Sequence, residues 1–327
     1  MARTLEEPRK RGLNLRIYDD SGAVLAVLRI PEDTARRSIN PEMLYRYCGE
    51  IMIFPAGASW AIFRLRANGA TGRRLDQGSP RMVEPGYYVI LDRDLKPLSI
   101  RFTDNVAPRR IRTRSPSSSS QARSERNQLQ TKFRNSIRAR DVRCVVSDTV
   151  PEPDEDADDS PFAAMQAVHI YPTSRISEWN QHNYRRLWMT DTRPASEIGQ
   201  TGLFSPQNGL LLNTYLHDLW DSYKFGIDPD ANYRVISFTS KSQEYSGRSL
   251  LNSARYGTRE ANNHVSPDLL RWHLRMCLYK NMKANAEPHN VWEEDLGSDD
   301  MEAILSQPDA AERMEVELFT RLGAQVA

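Results

Sequence analysis

Two oppositely charged runs set the strongest limit on how this chain can fold. Between Arg109 and Arg140 there are ten Lys/Arg residues against the single acid Glu125, and between Asp148 and Asp159 there are seven acids and no base. From Val106 to Gln130 there are too few apolar residues to offset the entropy of ordering the chain. The Arg/Ser-rich part of the basic run therefore separates two folding units, and the acidic run reads as a solvated insertion in the second. The runs cancel, so the formal net charge of the 327 residues is only +1. Whole-chain charge is then no argument for nucleic-acid binding, although each local run is strongly polar.

The first unit reads as β structure. Residues 13–17 and 24–30 flank Asp19, Asp20, Ser21 and Gly22, the pattern of two strands and a tight turn. Further strand-like runs cover 51–54, 60–65, 87–91 and 98–102, and one short helix is expected from Pro41 to Cys48. The expected organisation is a disordered tail over 1–9, a mainly-β domain over 10–104 and a basic Ser/Arg-rich linker over 105–131. A second domain follows over 132–282, and an acidic tail with an amphipathic helix occupies 283–327. That helix is a candidate protein-binding element. In the second domain, helical character resumes at Lys132, and residues 143–146 and 233–238 read as strands. Residues 205–214 read as entry into a helix, and Ser266 with Pro267 opens a late helix as N-cap and first helical residue. The fold class expected is α+β.

Cys48, Cys144 and Cys277 are odd in number and far apart, unlike a secreted disulfide framework. No stretch reaches the ~18 consecutive apolar residues of a membrane span. An intracellular chain, nuclear or cytoplasmic and not bound to a membrane, is the expectation. The cluster Arg9, Lys10, Arg11 and the Arg/Ser linker are candidate import signals, with solvated charge as the plainer reading.

The chemistry-bearing residues form an ordered set: Cys144, then His169-Ile170-Tyr171-Pro172, Asn208-Gly209-Leu210-Leu211-Leu212, and His217-Asp218-Leu219-Trp220-Asp221. His217 and Asp221 are four apart on an expected helix, so both project from one face and can share a cation. An imidazole with a carboxylate suits Mg²⁺, Mn²⁺, Ni²⁺ or Zn²⁺. Asp218 is rotated to another face. Asn208 stands at a turn, where its amide can bridge backbone groups, and Asn213 or Thr214 can cap the helix carrying His217. Each piece alone has an ordinary reading: a histidine in an apolar strand is usually a core residue, and an i, i+4 His/Asp pair is usually a surface contact.

Taken together, the set resembles the HNH endonuclease superfamily with its ββα-metal fold, in the branch common in fungal proteins, and the resemblance covers roughly residues 144–277. It implies a metal-dependent nuclease hydrolysing phosphodiester bonds in DNA. His169 and Asn208 would be the catalytic residues, as base and positioning group, and His217 and Asp221 the ligands of a divalent metal. The sequence departs from the family pattern at Val168, where a metal-binding Asp, Glu or His commonly precedes the base. Gln166 shares that strand and receives no role. Ser147 stands where a CxxC zinc half-site needs its second thiolate, so Cys144 reads as a buried strand residue. The acidic insertion could cover the basic run and hold the protein in an autoinhibited state. The alternative function is a degenerate HNH fold repurposed as a binding module, or as an enzyme of fungal specialised metabolism acting on a small molecule.

Overall fold

A computed structural model describes residues 13–108, 120–151, 162, 164–258 and 262–284. The basic cluster at Arg9, most of the acidic insertion, the Arg/Ser core of the linker, His289 and the C-terminal helix expectation all lie outside these residues.

The chain opens with β1 (Leu15–Tyr18) and β2 (Val24–Leu28). Their turn is closed by Asp19, whose Oδ1 accepts from the Ala23 N–H at 2.9 Å, and Gly22 supplies the left-handed φ of +92°. Helix α1 runs from Pro41 to Ile51 and starts where the Asn40 side chain accepts from the Met43 N–H. Then come β3 (Met52–Ile53), β4 (Trp60–Leu65), β5 (Thr71–Arg74), β6 (Gly86–Asp92) and β7 (Arg101–Phe102). One five-stranded sheet has the order β2-β1-β6-β4-β5, antiparallel except for the β1/β6 pair. Strand alternation splits its apolar residues between two faces. Leu15, Ile17, Ile62 and Ile90 join the core beneath α1, while Tyr18, Phe63, Val89 and Leu91 form a smaller cluster on the other side.

Helix α2 spans Ser120–Asp141. It begins inside the stretch read as linker, because Phe133 and Ile137, both fully buried, give it a packed face that composition averaging conceals. Next come β8 (Met165–His169), α3 (Ile176–Gln181), α4 (Tyr184–Trp188) and α5 (Ala195–Ile198). β9 (Gly209–Asn213), α6 (Thr214–Asp221), β10 (Phe225–Asp228), β11 (Arg234–Ser237), α7 (Asn252–Tyr256) and α8 (Pro267–Asn281) complete the described chain. Two expectations are corrected here. Residues 209–213 are a strand, since the apolar run Leu210-Leu211-Leu212 pairs with β8 before the helix starts. Residues 143–146 form a turn instead of a strand; its Val145 N–H donates to the Leu211 carbonyl at the open edge of β9. The mixture of sheets and helices is compatible with α+β.

The two units expected from sequence share one buried core, which runs from Leu15 through Met282. Polar contacts reinforce the join. Asp228, fully buried, receives both Arg46 guanidinium nitrogens and, at 2.6 Å, the Tyr47 hydroxyl. Burial and the Asp228 charge push the Tyr47 phenol well above its ordinary pKa, which keeps it an O–H donor. Beyond α8, Met282 and Lys283 return to β2, the Met282 carbonyl accepting from Val27 at 2.9 Å. Tyr47→Phe should lower unfolding free energy by about 1.5–3 kcal/mol, the range for a bond to a charged partner. Urea denaturation reads this directly, and an unshifted midpoint would deny Asp228 its latch role.

Candidate functional site

β8 and β9 form an antiparallel hairpin in which His169 lies opposite Gly209, and α6 follows β9 directly. The strand ends where Asn213 turns to cap the helix, its side chain accepting from the Leu216 N–H at 2.8 Å. The result is a ββα unit. Helix α2 covers one face of the hairpin and α6 the other.

Alternation along β8 sorts its side chains between those faces. His169 points to the α2 face, where its ring stacks on Phe133 with centroids 4.0 Å apart and meets Phe204 edge-on at 5.7 Å. Gln166 and Val168 point to the α6 face, and Gln166 Oε1 contacts His217 Nδ1. The other ring nitrogen of His217, Nε2, lies 3.1 Å from Asp221 Oδ2. The four expected site residues thus form two groups: His169 with Asn208, and His217 with Asp221. The hairpin backbone stands between them, linked to α6 by Trp220, whose Nε1 donates to the His169 carbonyl at 3.4 Å. Trp220 in turn stacks on the buried His273 of α8, 3.5 Å between centroids.

Gly209 is what lets α2 seat on this hairpin. A Cβ there would lie 2.1 Å from Ile137 Cδ1 and 2.6 Å from Phe133 Cζ. Gly209→Ala should cost about 1–3 kcal/mol through overpacking and disturb the ring stacked on His169. A thermal midpoint equal to that of the wild type would contradict this seating.

Asn208 is fully buried, with its amide orientation set by the backbone. Oδ1 accepts from the Tyr171 N–H at 2.7 Å, and Nδ2 donates to the carbonyls of Tyr171 and Leu203, each at 3.0 Å. Nδ2 also lies 3.4 Å from His169 Nδ1. Both Nδ2 protons are already given to the two carbonyls, so this longer contact positions the ring without setting its tautomer. His169 Nε2 is itself buried.

Sequence reasoning missed the residues that hold this segment. Arg140 and Asp141 form an ion pair with both side chains at 0% exposure. Arg140 also donates to the carbonyls of Pro206, Gly209 and Asn263, and Asp141 Oδ2 accepts from the Leu211 N–H at 3.1 Å. Gln207 ties Thr190 and Asp191 to the same turn. Burial alone would raise the Asp191 pKa, but bonds from Arg193 and Ser205 outweigh it and hold the carboxyl below the ordinary range. Within a basic run, Arg140 looks like any solvated cation, so no sequence signal marks it.

Among the described residues, no three His, Cys, Asp or Glu side chains gather into a metal-binding group. The pair of His217 and Asp221 does fit two ligands of one ion. Adjacent ligands of an octahedral cation at about 2.1 Å span ~3.0 Å, and His217 Nε2 and Asp221 Oδ2 are 3.1 Å apart. Val168, buried on the same face, contributes no donor. Cys144 is buried and accepts weakly from the Ser147 N–H at 3.4 Å. His182 is exposed and stacks on Tyr184.

A hairpin followed by a helix, carrying His, Asn and His in that order, defines a ββα module. Residues 144–228 match the family model described as HNH endonuclease, which supports an HNH-superfamily module in this segment. Neither a curated protein nor a solved structure matches the chain. No helix of the described residues is long and apolar enough to cross a membrane.

Proposed function

We propose that this protein is an HNH-type, metal-dependent nuclease acting on the phosphodiester backbone of DNA. The observation that carries the reading is the edge that His217 Nε2 and Asp221 Oδ2 form together on the helix of a ββα unit. A divalent ion held there would supply Lewis-acid offset of the charge that develops on the phosphate oxygens. By resemblance to the family, His169 is assigned as the base that takes a proton from water, a role that requires its Nε2, buried in this arrangement, to open to solvent, and Asn208 as the group that fixes it relative to the strand. On α2, exposed Arg126 and Arg134 offer contacts to a phosphate backbone beside the hairpin. The test is nicking of supercoiled plasmid with Mg²⁺ or Mn²⁺, comparing wild type with His169→Ala and His217→Ala. Metal-dependent nicking lost in both variants supports the assignment.

A second reading has one specific observation in its favour. The His169 ring is on the face covered by α2, with Nδ1 toward an amide donor and Nε2 buried. That is the environment of a half-buried histidine held by ring packing. In this reading the module is a scaffold for binding a macromolecule or a small molecule, and His169→Ala would lower stability while no variant changes a nicking rate already at background.

A further inference from the structure

We infer that Gln166 is a positioning residue for His217 and sets which ring nitrogen faces the cation seat. This rests on the metal reading of His217 and Asp221 above. Gln166 projects from β8 onto the α6 face, and its carbonyl Oε1 meets His217 Nδ1. A carbonyl oxygen only accepts, so Nδ1 must carry the proton, and in the neutral ring the lone pair then belongs to Nε2. Nε2 faces Asp221 Oδ2 at 3.1 Å. Two acceptors cannot share a hydrogen bond with each other, so a cation or a proton must sit between them. Metal-binding histidines are generally oriented in this way, with the far ring N–H given to an acceptor that fixes tautomer and ring angle. Here that acceptor is a side chain two residues before Val168, on the same face of the strand. Gln166 therefore gives the α6 face a polar group where Val168 has none. It acts on the ion through His217, without occupying a coordination position.

The test uses the full chain and two measurements. Calorimetric titration with Mn²⁺ compares wild type, Gln166→Leu, Gln166→Glu and His217→Ala. Long-range ¹H–¹⁵N spectra of the wild type saturated with Mg²⁺ read the His217 tautomer. The expected results are a His217 ring protonated at Nδ1, a Kd for Mn²⁺ raised ~10–100-fold in Gln166→Leu, and affinity regained in Gln166→Glu, whose carboxylate also accepts. A wild type that binds Mn²⁺ through His217 while Gln166→Leu binds it equally well overturns the role of Gln166 alone. So does a Mg²⁺-saturated ring protonated at Nε2, a result that stands even if Gln166→Leu does not fold. A wild type that takes up no Mn²⁺, or a His217→Ala variant that binds it unchanged, overturns the metal reading itself.

Discussion

Replacing Arg140 by alanine should destabilise the protein by about 3–5 kcal/mol, the cost of leaving one partner of a buried ion pair alone. Asp141 would lose its guanidinium partner at 0% exposure, and the carbonyls of Pro206, Gly209 and Asn263 would lose their donor. The first two of these carbonyls bracket Asn208, so the damage falls on the turn that orders the site. Urea unfolding monitored by tryptophan fluorescence measures it, since Trp220 and Trp179 are both buried. The double variant, with Arg140→Ala and Asp141→Ala together, should be less destabilised than the sum of the single changes, because it removes the stranded carboxyl. Strict additivity would mean that the pair does not act as a unit. Arg140→Lys is not a conservative change here. An ammonium cannot donate in a plane to a carboxylate and to three carbonyls at once.

The second large effect is on chemistry. If His169 is the base, His169→Ala should lower the metal-dependent nicking rate by ~10²–10⁴-fold, the range for loss of general-base catalysis. Its ring also packs between Phe133 and Phe204, so the variant must be compared at matched folded fraction. His169→Phe provides that control: it keeps an aromatic ring in the stack and removes both nitrogens. Nicking lost equally in the alanine and phenylalanine variants, with the phenylalanine variant as stable as wild type, assigns the effect to the imidazole. Phenylalanine at full wild-type rate would remove His169 from the reaction and leave it a packing residue, as its buried Nε2 suggests.

Much of this architecture follows from local patterns. The turn chemistry of Asp19 and Gly22, the Pro41 start of α1 and the Ser266-Pro267 start of α8 are local rules, and each appears where it is expected. The boundaries that shift do so for tertiary reasons. Leu210-Leu211-Leu212 is an apolar run without clear period, equally suited to strand or helix. It becomes β9 because β8 pairs on one side and the Asp141–Val145 segment covers the other. Helix α2 extends into a polar, arginine-rich stretch because Phe133 and Ile137 find the hairpin beneath them.

The candidate site divides in the same way. His169, Asn208, His217 and Asp221 can be picked out by type, order and spacing, and the four-residue step on α6 alone brings His217 and Asp221 together. How the two histidine rings are held depends on partners remote in sequence. Gln166 lies 51 positions from His217, and Asn208 lies 39 from His169. Strand alternation then separates Gln166 from His169 by a whole face of the hairpin, a consequence of β8 being extended and covered on both sides. By itself, the sequence of this protein determined the starts of α1 and α8 and the pair on α6, because these depend on residues within a turn or two of one another. Only the tertiary structure decided that Arg140 is buried, that His169 lies under α2 and that Gln166 meets His217, because burial and hydrogen-bond partners are properties of the packed chain.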